Sequence, residues 1–223
     1  MIIDRLDEEF LLFALRRDGS WHAGRHLSVG IASAWLMELM REGRIKLELK
    51  RLVPKGKSLL DDPALDPILK LIHGSKRNRS VTYWIQTIAK TRAPGMEAVM
   101  RRLWSRGYIE IVKTPTGTLY PMHGSHSRQE IRDHLRDVIL GKADRSKDSM
   151  ALLCLLGASG MTDEVFGETR RQEAEGRIFG MVQFDHELLY MWKSIRGSIR
   201  WGAAAVPPKP KKTAVQFTKL ATR

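Results

Sequence analysis

The chain has 223 residues, 43% hydrophobic and 28% charged, enough apolar material for an ordinary buried core in one large domain or two small ones. Its 38 Lys and Arg against 25 Asp and Glu leave a formal charge of +13 and a sequence pI ≈ 10.1, so its surface attracts phosphates, on nucleic acid or on lipid headgroups. A single cysteine, Cys154, excludes an internal disulfide framework; within the apolar run of residues 150–156 it reads as a buried, inert thiol in a reducing compartment.

The first residues, Met1-Ile-Ile-Asp-Arg-Leu-Asp-Glu-Glu, are acidic and lack a small-residue cleavage site, so no secretory signal is expected. No apolar run approaches the roughly 20 residues of a membrane span, and the chain reads as soluble or peripheral.

In chain order, residues 4–17 read as an amphipathic helix with Leu6, Phe10, Phe13 and Ala14 or Leu15 inward. Residues 27–42 make a second helix. Only Ser33 and Glu38 are polar between Gly30 and Met40, so it reads as enclosed on most sides. Gly43 ends it, because glycine takes the left-handed conformation at a helix C-cap without a Cβ penalty. The alternation of Ile45, Leu47 and Leu49 with Lys46, Glu48 and Lys50 then predicts a half-buried strand. A hairpin follows through Val53 and the turn Pro54-Lys-Gly56.

Asp61-Asp62 before Pro63 reads as a helix N-cap, where negative charge meets unpaired amides. Helices are predicted near 63–73, 80–90 and 95–106. The last opens a second helix–glycine–strand unit, with Gly107 before Tyr-Ile-Glu-Ile-Val112. A hairpin should pair 108–113 with 118–121 around Pro115-Thr-Gly117. Ser127-Arg-Gln-Glu130 is a capping box opening a helix to Leu140, ended by Gly141. Residues 150–156 form a second all-apolar helix core, and two more helices occupy 168–179 and 185–200.

From Gly202 the composition changes. Pro207-Pro-Lys-Pro-Lys-Lys212 carries no acid and cannot pack regularly. The expected architecture is mainly α: a single helical domain over 4–200, with central apolar helices surrounded by amphipathic ones and short β-hairpins. A flexible basic tail over 201–223 follows it.

Little in the chain points to catalysis. Gly56-Lys57-Ser58 resembles the end of a phosphate-binding loop, but the first glycine of that motif would fall at Arg51, so it reads as a surface turn. His22 with His26 and His123 with His126 are spaced as ligand pairs, yet zinc sites usually recruit a third ligand and a second shell, cysteine ligands are absent and Gly24 weakens a preformed helical face, so they read as solvated loop histidines. There is no G-x-S-x-G elbow and no Cys/His arrangement, so a non-enzyme is expected, with no metal or cofactor assigned. The charge distribution is more informative. Between Pro67 and Met96 there is no Asp or Glu, while Lys70, Lys76, Arg77, Arg79, Lys90 and Arg92 are all basic. That stretch reads as an anion-binding surface rather than a merely solvated face.

The order of motifs resembles the Golgi phosphoprotein 3 family. The resemblance runs through Leu11-Leu-Phe-Ala-Leu15, Leu36-Met-Glu-Leu39 with Gly43-Arg-Ile45, Leu59-Leu-Asp61 and Val81-Thr-Tyr-Trp84-Ile85. It continues with Leu103-Trp-Ser-Arg-Gly107, Tyr120-Pro121 and Leu152-Leu-Cys-Leu155-Leu-Gly-Ala158, so that it covers about residues 8–185. Eukaryotic members of that family bind phosphatidylinositol 4-phosphate on the cytoplasmic face of the Golgi and retain glycosyltransferases by their cytosolic tails.

The resemblance implies a headgroup site at Trp21, in the loop after the first helix, with Arg25, Lys90 and Arg92 standing near positions where the family carries arginines. One family arginine is replaced by Ala32, and the apolar hairpin tip of eukaryotic members is here the polar Lys113-Thr-Pro-Thr-Gly-Thr118. Such divergence suggests a prokaryotic member. The implied partners are an anionic, phosphoinositide-like membrane lipid and the cytosolic tails of membrane proteins, with peripheral attachment at the cytoplasmic face of a membrane. The alternative is a winged-helix nucleic-acid binder, with the 95–106 helix as recognition helix and the 108–121 hairpin as wing.

Overall fold

The computed structural model describes residues 5–16, 18–21, 26–56, 58–91, 93–115, 117–123 and 126–201, with only the backbone of Ala93, His126, Ser127 and Trp201. The predicted tail from Gly202 lies outside the described residues. The fold is mainly helical with two short antiparallel hairpins, as expected.

Two apolar helices form the centre. α2 (His26–Arg41) is buried continuously from Ser28 to Leu39, and α7 (Lys147–Ser159) carries Leu152, Leu153, Cys154, Leu155 and Leu156 at essentially zero exposure. Ser146 caps α7 by accepting from the Ser149 amide at 3.1 Å, and Gly160 closes it in the left-handed conformation at φ 76°. α1 (Leu6–Ala14) lies against both, and α10 (His186–Trp201) packs on α7, α2 and α4 (Val81–Lys90). Gly30 lets α1 approach α2 closely: a Cβ there would fall 2.0 Å from Cζ of Phe10.

α1 corrects an expectation. It is not amphipathic in its setting, because Asp7, Glu8 and Glu9 are as buried as its apolar residues. Basic side chains from elsewhere in the chain cover the first two of these, an arrangement that periodicity within the helix does not report.

The first hairpin pairs β1 (Ile45–Glu48) with β2 (Arg51–Pro54) in the register Ile45↔Pro54, Leu47↔Leu52 and Glu48↔Arg51. The turn is therefore Leu49-Lys50, not Pro54-Lys-Gly56. Facing Leu47 across the ladder, Leu52 is buried at 1% exposure. Setting those two residues opposite each other leaves Leu49 over as a turn residue, outside the strand it was assigned to.

α3 (Asp66–His73) starts later than predicted. Asp62 caps the turn before it, with Oδ1 accepting from the amides of Ala64 at 2.7 Å and Leu65 at 3.0 Å. α5 (Ala93–Ser105) leads to the second hairpin, β3 (Val112–Thr114) with β4 (Gly117–Leu119), which an Ile109–Met122 bridge extends. α6 (His126–Ile139) already runs through Ser127, so that residue is not its N-cap. The helix expected over 168–179 opens as a 3-10 turn (Glu168–Arg170) that runs directly into α9 (Arg171–Val182); a short α8 (Asp163–Phe166), which was not expected, precedes it, and Gly167 at φ 82° separates the two. No described helix is long and apolar enough to cross a membrane.

Candidate anion-binding face

The cations fall into two sets. In the first, three guanidiniums meet three carboxylates between α1, α5 and the segment before α3. Arg102 donates to Glu8 at 2.8 Å and Asp7 at 2.9 Å; Arg106 reaches Glu8 at 3.0 Å; Arg5 reaches Asp7 at 2.9 Å and Asp62 at 2.8 Å. Arg101 on the same helix pairs with Glu97 at 2.7 Å. Three arginines that a recognition helix would present to phosphate are thus held by carboxylates of the chain itself.

The second set is unpaired. Lys70 on α3, Lys76, Arg77 and Arg79 in the following loop, and Lys90 at the end of α4 are exposed, and none pairs with a carboxylate among the described residues. Tyr83 and Lys90, seven residues apart, lie on one side of α4, about 10 Å apart along its axis. The helix contains no acid. The first hairpin is fastened to the start of this face, since the Leu52 amide donates to Arg79 O at 2.9 Å and Arg51 to Asn78 O at 2.8 Å.

Trp21 is half-buried after α1, bridged to Leu15, with its ring 5.6 Å from that of Tyr120. Gly19 makes this possible. Its carbonyl accepts from the Tyr120 amide at 2.9 Å, and a Cβ there would lie 2.3 Å from Tyr120 and Pro121 backbone atoms. Partial burial and the nearby Glu97 raise the Tyr120 hydroxyl above its ordinary pKa. Glu97 stands one turn into α5, a helix that begins three residues after Lys90. Arg25 and Arg92 lie outside the described residues.

The Golgi phosphoprotein 3 (GPP34) family model matches residues 6–188. The chain belongs to the Golgi phosphoprotein 3 family. The matched span of this Golgi phosphoprotein 3 domain runs from the start of α1 to the first turn of α10, and so contains the whole basic face. No curated protein sequence matches the chain.

Sequence reasoning missed Tyr120 as the partner of Trp21, a contact between loops 99 positions apart, and it missed the tip of the first hairpin. A turn signal such as Asn-Gly would have revealed that tip, but Leu-Lys stands in its place.

Other polar groups are accounted for differently. Cys154 is fully buried, and burial raises its thiol pKa far above the ordinary value. His123 contacts Glu110 at 2.9 Å. Among the described residues, no group of three or more His, Cys, Asp or Glu is placed to hold a metal ion. Glu9 is fully buried with neither carboxylate oxygen hydrogen-bonded; burial first, then the charge of Asp148, pushes its pKa up to about 8. It lines a cavity of about 470 Å³ with Glu38, whose pKa burial also raises.

Proposed function

We propose that this protein is a non-enzymatic peripheral adaptor that docks its basic face on the anionic headgroups of a membrane's cytoplasmic side. The observation that carries this reading is the sorting of charge. The α5 arginines are neutralised internally, whereas Lys70, Lys76, Arg77, Arg79 and Lys90 pair with no carboxylate among the described residues, in a stretch of chain from Pro67 to Met96 without acids. Each such cation near an anionic surface contributes about 1 kcal/mol, enough in sum for reversible, salt-sensitive binding. Membership of the Golgi phosphoprotein 3 family supports phosphatidylinositol 4-phosphate as the headgroup, taken by Trp21, Arg25, Lys90 and Arg92, and cytosolic tails of membrane proteins as clients.

Sedimentation with liposomes tests it. Vesicles carrying phosphatidylinositol 4-phosphate should carry the protein down at low salt and release it as salt rises, while phosphatidylcholine alone should not. Reversing Arg25 and Arg92 to Glu should weaken binding more than reversing Lys211 and Lys212 of the tail, because a pocket concentrates its contacts. Equal losses would mean a diffuse field without a site. A sequence-dependent shift of duplex DNA without any liposome binding would favour the winged-helix reading instead.

A further inference from the structure

Leu49 and Lys50 form a two-residue hairpin turn with both residues at positive φ, 45° and 66°. Turns of this kind favour Asn-Gly or Asp-Gly, since a Cβ is strained there. The first position nevertheless holds a leucine, and that leucine is 94% exposed. Neither packing nor backbone preference accounts for an apolar side chain at this point.

The surroundings are specific. Lys50, Arg51, Arg79, Tyr83 and Tyr190 line, with Leu49, an open cleft of about 450 Å³ that has no acidic residue in its wall. The Arg79 guanidinium lies 5.1 Å from the centre of the Tyr83 ring. Glu48, the carboxylate next to the turn, is taken by Lys46 at 2.5 Å. The tip is also held in place, because Tyr190 Oη donates to the Lys50 carbonyl at 2.9 Å while β2 is tied to the Arg79 and Asn78 carbonyls.

We propose that this tip is an insertion point into an anionic bilayer, with Leu49 entering the hydrocarbon boundary while Lys50, Arg51 and Arg79 meet lipid phosphates. The proposal rests on the membrane reading above and adds the place of contact. A leucine at the apex with cations and tyrosines behind it matches the order in which hydrocarbon and headgroups are layered at a bilayer surface. Because the turn is pre-formed and braced, little ordering is left to do on contact.

A fluorophore at the tip tests this. Leu49→Cys can be labelled selectively with an environment-sensitive nitrobenzoxadiazole, because Cys154, the one natural thiol, is fully buried. The label should shift to the blue on phosphatidylcholine vesicles containing phosphatidylserine and stay unchanged on phosphatidylcholine alone. Leu49→Asn, which suits the left-handed backbone better, should keep or raise the melting temperature and weaken vesicle binding about tenfold. If the protein sediments with anionic vesicles while the label keeps its aqueous emission and Leu49→Asn binds like the parent, the tip proposal falls and the membrane reading stands. If the parent binds no anionic vesicle, both fall. Loss of RNA or duplex binding in Leu49→Asn, with no blue shift on vesicles, would overturn the proposal in favour of a nucleic-acid contact.

Discussion

Arg102 donates from Nε to Oε1 of Glu8 at 2.8 Å, joining α5 to α1 across 94 residues of chain. Glu8 has no exposure and Arg102 has 23%, so the pair works in a poorly screened setting. Removing one member strands the other. Arg102→Met should cost about 3–5 kcal/mol, read as a lower urea midpoint at unchanged slope. A midpoint that holds, accompanied by weaker DNA binding, would show that the arginine serves a ligand rather than the fold.

The α1–α2 contact depends on a missing side chain. Gly30→Ala would drive a methyl into the Phe10 ring, and Phe10 is itself fully buried. Overpacking of this kind costs about 1–3 kcal/mol, although alanine is the better helix former. Thermal unfolding decides it: stabilisation on this substitution would contradict the close packing of the two helices.

Glu9 makes stability depend on pH. Its folded pKa of about 8 stands above its ordinary 4.5. Below the ordinary value the carboxyl is protonated in both states and no penalty arises. As pH rises towards 8, the unfolded chain ionises while the folded one does not, and stability falls. Glu9→Gln should remove this component, gaining a few kcal/mol over the parent near pH 8 and almost nothing near pH 4. Paired urea titrations at several pH values measure it; a constant difference between variant and parent would refute the assignment.

Free and occupied cations should behave differently towards a membrane. Lys76 and Arg77 are exposed and pair with no carboxylate among the described residues, whereas Arg101 and Arg177 are exposed but paired with Glu97 and Glu173. Reversing Lys76 and Arg77 to Glu should weaken binding to anionic vesicles at least about tenfold at low salt, with a shallower salt dependence. The same reversal at Arg101 and Arg177 should do much less. Equal effects would mean that total charge alone sets the affinity.

Local pattern in the sequence was enough to determine the two central apolar helices, the helix-ending glycines at 43, 107 and 141, the burial of Cys154, and the acid-free basic stretch. Each of these follows from neighbours within a few turns of chain, where periodicity, capping and the left-handed freedom of glycine act. The fate of the charges was decided only in three dimensions. Asp7 and Glu8 read as a solvated helix edge until α5 brings Arg102 and Arg106 to them, and Glu9 beside them gains no such partner. Leu49 reads as a strand residue until the pairing of Leu47 with Leu52 sets the register and turns it outward. Burial and ion pairing depend on residues tens of positions apart, so the sequence by itself could place the cations along the chain, while only the tertiary structure determined which of them are spent on the fold and which pair with no carboxylate among the described residues.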